Sequence, residues 1–126
     1  MTMSQGEVWL VNLDPTIADE IRKVRPAVIV SQDAVGTLAL RVVVPVTAWQ
    51  PRFANSDWLV GLDPDKMNGL DKPSAADTFQ VRSLSTKRFI RCLDRLSDAD
   101  LVGSPMGSRR FLIFNYSLVR AYESAR

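Results

Sequence analysis

The 126-residue sequence has no histidine, one cysteine and no long hydrophobic run. The lack of histidine removes the commonest general acid and base and the commonest metal ligand. The single cysteine, Cys92, excludes an internal disulfide and a cysteine-cluster metal site, and its strand-like surroundings predict a buried apolar role. No stretch approaches the roughly 20 apolar residues of a membrane span, so we expect no membrane insertion.

The composition is that of an ordinary globular protein. Hydrophobic residues make up 46% of the chain and charged residues 24%, and we expect one domain over residues 1–126. The formal net charge of +2 permits nucleic-acid binding without demanding it. No secretory signal is predicted, because Glu7, Asn12 and Asp14 interrupt the first apolar run. A reducing cytoplasm is therefore the expected location.

Short runs rich in valine and isoleucine, separated by turn residues, predict a mainly β fold with minor α structure. The expected strands cover residues 8–13, 27–30, 38–47, 58–62, 78–84 and 89–96. Ser97, with Asp98 and Asp100 after it, is typical of a helix start. Gly103 and Pro105 should end that helix, and a second one is expected over 109–125. Strands of this number and length indicate a small barrel or a curled sheet.

Residues 6–33 organise the rest of the chain. Two of the predicted strands flank a charged connection, residues 14–24, which is longer than the roughly two to five residues of a common hairpin loop. Pro26 suits the start of a strand and pushes Arg25 toward an extended backbone. We therefore expect Glu20 and Arg25 at the edge of a rigid sheet, where a site can be built.

Several segments resemble the MazF/Kid/PemK family of bacterial toxins, which are ribonucleases that cut messenger RNA. They are Gly-Glu-Val-Trp at 6–9, Asp-Pro-Thr at 14–16, Glu20, Arg-Pro-Ala-Val-Ile-Val at 25–30, Val-Val-Pro-Val-Thr at 43–47 and Gln-Val-Arg-Ser at 80–83. The resemblance implies an SH3-like small barrel of five to seven strands with a C-terminal helix. It also implies a homodimer, no cofactor, and a cognate antitoxin that binds through an extended acidic segment.

The same resemblance places three of this chain's residues in a catalytic site for RNA cleavage without a metal ion. Arg25 is expected to hold the phosphate, because a guanidinium group binds phosphate oxygens in a fork. Thr47 can donate a hydrogen bond to a phosphate oxygen, and Glu20 is the candidate base. An ordinary glutamate is a weak base at neutral pH, so the identity of the base stays open. The alternative for all three residues is a surface or strand position without a catalytic role.

A wider set of residues is expected to bind RNA around this centre. Basic side chains can contact the RNA backbone, and loop aromatics can stack on unpaired bases. The family resemblance implies that the Gln-x-Arg segment lies near the groove and the dimer contact. The set comprises Arg22, Lys23, Trp49, Arg52, Phe53, Gln80 and Arg82. The alternatives are solvated surface charges, aromatic packing, and a polar pair that fixes loops.

Two features depart from the family pattern. Many members have an acidic residue directly before the glutamine, where this chain has Phe79. Strand alternation would place the nearest acid, Asp77, on the face of Phe79, which argues against a second catalytic carboxylate. Residues 103–126 are an atypical C-terminal segment, with glycine and proline where the family has a continuous helix.

The sequence thus predicts the toxin of a type II toxin–antitoxin system, acting as an endoribonuclease on single-stranded RNA. Its products would be a 2′,3′-cyclic phosphate and a 5′-hydroxyl. One alternative is a toxin of the same fold that poisons DNA gyrase, although no tryptophan follows Trp58 to match the C-terminal tryptophan of those relatives. The other alternative is an inactive family member that binds RNA.

Overall fold

The computed structural model describes residues 3–15, 23–33 and 37–102. Within these residues it has seven strands, three 3₁₀ turns and one short helix. The strands are β1 (Glu7–Asn12), β2 (Val24–Ile29), β3 (Leu40–Ala48), β4 (Leu59–Leu62), β5 (Ser74–Asp77), β6 (Arg82–Ser85) and β7 (Phe89–Arg95). The 3₁₀ turns cover Pro51–Asn55, Thr78–Gln80 and Thr86–Arg88, and helix α1 covers Asp98–Val102. The mainly β class with minor α structure is confirmed.

The strands form one antiparallel sheet in the order β4-β5-β3-β2-β1-β7. Strand β6 lies off this path and pairs with the first half of β3. Among the described strands, β4 and β7 end the sheet and do not pair with each other, so the barrel-like sheet is not closed there. Strand β3 is the centre of the fold, because it bonds to β2 on one edge and to β6 and then β5 on the other.

Apolar side chains fill both faces of this sheet, as the dense valine runs allow. One face carries the first core, built from Val8, Val28, Val30, Val44, Val46, Val60, Leu62, Ala76, Leu96 and Leu101. The opposite face carries the second core, built from Trp9, Val11, Leu13, Ala27, Ile29, Val43 and Leu84. Because side chains alternate along a strand, Arg25 in β2 and Thr47 in β3 fall on the face of the second core.

Three local predictions differ from the structure. Residues 78–84 do not form one strand, because the Thr78–Gln80 turn precedes β6, and β5 was not predicted at all. Cys92 is exposed on β7 rather than buried. The pKa of its thiol is raised by partial burial and by Glu7 and Asp94, which keeps the thiol in its less nucleophilic protonated form.

The start of α1 follows the prediction, since the Ser97 hydroxyl accepts a hydrogen bond from the Asp100 amide at 3.2 Å. The second helix expected over 109–125 and the interruption at 103–108 lie outside the described residues. In the part of the chain that the structure describes, no helix has the length and apolar character needed to cross a membrane.

The loop between β4 and β5 gives a direct test of the packing. Gly69 has φ of 69°, and an added Cβ there would lie 2.5 Å from the Leu93 carbonyl oxygen. We therefore expect Gly69→Ala to lower the free energy of unfolding by at least about 1–2 kcal/mol, the usual cost of a left-handed non-glycine residue. Urea denaturation measures the change.

Gly61→Ala is the matched control for this variant. Its Cβ would meet Trp49 at 3.6 Å, an ordinary contact, and the residue lies within β4. A Gly69→Ala protein as stable as Gly61→Ala would show that the loop does not pack against β7 in this way.

Candidate active site

The register between β2 and β3 brings together the two central candidates. Ala27 pairs with Pro45 at the end of the antiparallel ladder between β2 and β3. Arg25 and Thr47 each lie two residues beyond this pair, and residues two apart on a strand point to the same face. Both side chains are half-buried at the end of the second core. A cation and a hydroxyl on adjacent rigid strands can therefore act on one phosphate group.

Hydrogen bonds hold together the two described ends of the charged connection before β2. The Leu13 amide donates to the Lys23 carbonyl at 3.0 Å, and the Lys23 amide donates to the Asp14 carboxylate at 3.0 Å. Lys23 has φ of 71° and an exposed side chain, two residues before Arg25. The guanidinium group of Arg88 donates to the backbone carbonyls of Asn12 and Asp14. These hydrogen bonds tie the N-terminal end of the connection to the residue before β7.

Two predicted site residues in this connection, Glu20 and Arg22, lie outside the described residues. Their assignment as base and RNA contact therefore stays a prediction. The described ends of the connection, at Asp14 and Lys23, are held together at the edge where Arg25 enters the sheet.

A three-residue insertion shapes the other side of the site. Along one edge of β3, β6 pairs Val43 with Arg82 and β5 pairs Thr47 with Ala75. If the two ladders shared one register, β5 would run directly into β6, but they are offset by three residues. The 3₁₀ turn Thr78–Gln80 contains those three residues, and it interrupts the ladder as a bulge does.

This insertion brings Asp77 and Gln80 together. The Gln80 side-chain amide donates to the Asp77 carboxylate at 3.0 Å, and the Phe79 backbone amide donates to the same carboxylate at 3.1 Å. Asp77 follows Ala75 by two residues in β5, so it lies on the sheet face of Thr47. The strand alternation expected past Asp77 does not occur, because the Thr78–Gln80 turn ends β5 there. The carboxylate of Asp77 lies on the sheet face that carries Arg25.

The protonation of Asp77 reflects its partial burial. Desolvation raises the pKa of this carboxyl above its ordinary value, while hydrogen bonds from Phe79 and Gln80 act in the opposite direction. Burial has the larger effect. An ionised carboxylate with a raised pKa is a better proton acceptor than a free aspartate, which is the property that a general base needs.

Arg82 belongs to the same face. It pairs with Val43 of the second core, so its half-buried side chain lies on the face of Arg25 and Thr47. Gln80 precedes it in the turn and is held by Asp77. The structure thus places four predicted site residues, Arg25, Thr47, Gln80 and Arg82, on or beside one sheet face.

The three predicted residues after β3 form a cluster of their own. The rings of Trp49 and Phe53 meet edge to face, with centroids 5.8 Å apart. The guanidinium carbon of Arg52 lies 5.4 Å from the Phe53 ring centroid, and Trp49 also packs over Gly61. Much of this aromatic surface is therefore engaged within the chain. Arg52 itself is exposed, so its charge remains available to an RNA backbone.

Sequence reasoning missed a second aromatic pair. Trp58 is 42% exposed, and Phe79 is 55% exposed. Their rings meet edge to face, with centroids 5.2 Å apart. An aspartate is a common turn cap, but at Asp77 this signal competes with the strand-like alternation of residues 78–84.

A family model described as PemK-like, MazF-like toxin of type II toxin–antitoxin system matches residues 4–102. This match covers most of the chain, and the chain belongs to that family. Among its relatives, endoribonuclease MazF9 of Mycobacterium tuberculosis is 35% identical over 105 residues, which cover 79% of this chain and 86% of the relative. Endoribonuclease PemK of Escherichia coli is 42% identical over 92 residues, covering 71% and 69%.

Solved structures of similar proteins share the fold. A MazE–MazF structure from Deinococcus radiodurans matches with a TM-score of 0.63 at 18% identity, covering 100% of this chain and 99% of that one. An endoribonuclease in complex with its cognate antitoxin, from mycobacterial species, also has a TM-score of 0.63, at 16% identity and 94% and 95% coverage. Identities this low establish the fold alone.

The burial of Asp77 predicts a pH-dependent contribution to stability. A carboxyl with a raised pKa holds its proton more tightly in the folded chain than in the unfolded chain. It therefore favours folding at low pH, and this contribution is lost as the pH rises through the raised pKa. Across that window, we expect the unfolding free energy of the wild type to fall relative to that of Asp77→Asn.

Urea denaturation at a series of pH values, from about 3 upward, measures this difference. Asp71→Asn, at an exposed carboxylate outside the turn, is the control. A wild type that gains stability relative to Asp77→Asn with rising pH would contradict the effect of burial.

Proposed function

We propose that this chain is the toxin of a type II toxin–antitoxin system and acts as an endoribonuclease on single-stranded RNA, chiefly messenger RNA, in the cytoplasm. The observation that carries the proposal is the grouping of Arg25, Thr47 and the Asp77–Gln80 pair on or beside one sheet face. The family match supports the toxin role, and the relatives named as endoribonucleases support the activity.

The proposed reaction uses the RNA's own 2′-hydroxyl as nucleophile. Its oxygen attacks the adjacent phosphorus while the bond from phosphorus to the 5′-oxygen breaks, which leaves a 2′,3′-cyclic phosphate. The departing 5′-oxygen takes up a proton from solvent water and becomes a 5′-hydroxyl. Arg25 holds the non-bridging oxygens in a fork and offsets the charge that develops on them. Thr47 donates a hydrogen bond to one of these oxygens. These groups supply the electrophilic assistance, so we propose that cleavage needs no metal ion.

Asp77 is the described carboxylate best suited to take the proton of the 2′-hydroxyl. Its raised pKa makes it a stronger base when ionised, and the Gln80 amide fixes the orientation of its carboxylate. Glu20 remains the other predicted base. DNA lacks the 2′-hydroxyl, so this mechanism cannot cut DNA.

We also propose that the protein is a homodimer neutralised by a cognate antitoxin. The structural relatives include a toxin described in complex with its cognate antitoxin. An extended acidic segment of the antitoxin would meet the positive charges of Arg25, Lys23 and Arg82, so one surface would receive both the substrate and the inhibitor.

Removal of either phosphate-binding group should slow cleavage. We expect Arg25→Ala to lower the cleavage rate at least about 10²-fold, because a lost transition-state hydrogen-bond donor typically costs about 10²–10³. Thr47→Val, which keeps the shape of the side chain but removes its donor, should lower the rate by a smaller factor. Arg91→Ala, at an exposed position on β7, is the control. Primer extension on a long RNA measures the rates and maps the cut sites.

The same assay tests the mechanism. A DNA of identical sequence should stay intact, and cleavage of RNA should continue in EDTA. Cleavage of the DNA, or a requirement for Mg²⁺, would reject the proposed chemistry. RNA binding without any cleavage by the wild type would instead indicate an inactive family member.

A further inference from the structure

The Thr78–Gln80 turn displays an aromatic side chain at the rim of the site. Phe79 lies at the middle of the three inserted residues and is 55% exposed. Its ring meets that of Trp58, which is 42% exposed, at a centroid distance of 5.2 Å and an interplanar angle of 76°. Two nearly perpendicular rings form a corner in which a flat group can stack on one ring while its edge meets the other.

This corner is fixed to the sheet. Thr78 is fully buried, and its hydroxyl donates to the Trp58 carbonyl oxygen at 2.6 Å. The Thr78 amide donates to the same oxygen at 3.0 Å. The Phe79 amide is held by the Asp77 carboxylate. Both ring-bearing segments are thus tied to one buried residue, so a ligand that stacks there loses little affinity to ordering the backbone.

The corner is also next to the proposed chemistry. The residues on either side of Thr78 and Phe79 are Asp77 and Gln80, which are hydrogen-bonded to each other. Asp77 shares its sheet face with Thr47, because Thr47 pairs with Ala75 and Asp77 follows Ala75 by two residues. A nucleotide on the corner would therefore adjoin Asp77, the proposed base.

The size of the corner indicates its occupant. Fully buried aromatic side chains cover about 150–250 Å² each, so the exposed parts of these two amount to roughly 200 Å². A stable protein interface needs about 800 Å² on each partner. The corner is far too small to hold another protein by itself, but it matches the face and edge of one nucleobase.

We propose that Trp58 and Phe79 stack on one unpaired base of the RNA substrate, next to the cleaved phosphodiester, and thereby influence which sequence is cut. This inference rests on the proposed endoribonuclease function. The aromatic pair of Trp49 and Phe53 is less suited to the task, because Arg52 and Gly61 already pack against its rings.

The experiment pairs protein variants with altered RNA. The probe is a short RNA containing a mapped cut site, with a 2′-O-methyl ribose at that site so that no hydroxyl can attack. A set of such RNAs carries one abasic position each. Stacking on an aromatic ring typically strengthens binding roughly 5- to 150-fold for each base. Phe79→Ala should weaken binding by a factor in this range, and so should the abasic change at one position.

The loss of RNA affinity caused by Phe79→Ala and the loss caused by the abasic change should not multiply. If Phe79 stacks on that base, the abasic RNA and the intact RNA will bind Phe79→Ala with nearly equal affinity. Phe79→Leu keeps the apolar bulk but removes the aromatic face, so it should behave like Phe79→Ala. Trp58→Ala should likewise bind the intact RNA and the RNA that is abasic at this position with nearly equal affinity. Ile90→Ala, which removes a 53% exposed apolar side chain on β7, should bind every RNA as the wild type does.

The outcomes separate this proposal from the function on which it rests. If the wild type cleaves RNA but Phe79→Ala and Trp58→Ala bind every probe as tightly as the wild type, the stacking site is wrong and the activity stands. If Phe79→Ala instead turns a dimer into a monomer in sedimentation, the corner is a protomer contact and the proposal is overturned. If the wild type neither cleaves nor binds RNA, the proposed function is wrong, and the stacking proposal is wrong with it.

Discussion

The pairing of β2 with β3 is the constraint on which the site depends. These strands carry one candidate group each, and Ala27 opposite Pro45 fixes their relative positions. A slip of one residue would move Arg25 or Thr47 to the opposite face of the sheet. Such a slip is costly, because both faces of the two strands bury valine, isoleucine or alanine side chains in the two cores. The hydrophobic packing therefore sets the geometry of the polar groups.

The central strand, β3, also explains why the Thr78–Gln80 turn forms beside the site. Pro45 lies where the neighbour of β3 changes from β6 to β5, and a proline has no amide to donate to that edge. The chain leaves the ladder at this point and forms the Thr78–Gln80 turn. One local break thus provides a partly buried carboxylate, an amide that orients it, and an exposed aromatic ring. A continuous strand would leave Asp77 and Gln80 too far apart to bond.

Much of this arrangement could be predicted from the sequence. The spacing of apolar residues in β1, β2 and β3 is a local signal, and it sufficed to place Thr47 in a strand and Arg25 at the edge of one. The turn at Thr78 could not be predicted in the same way, because residues 78–84 alternate as a strand does. Its position depends on the three-residue offset between two ladders, which is a long-range property of β3. The exposure of Trp58 and Cys92 likewise depends on which strands end the sheet.

The central claim is that Arg25 and Thr47 act on the same phosphodiester. A double-mutant cycle on kcat/KM for RNA cleavage, with Arg25→Ala, Thr47→Val and the double variant, tests it most directly. Two groups that bind one phosphate in one transition state are coupled, so the double variant should lose far less than the product of the two single losses. Losses that multiply, or single variants as active as the wild type, would contradict the account.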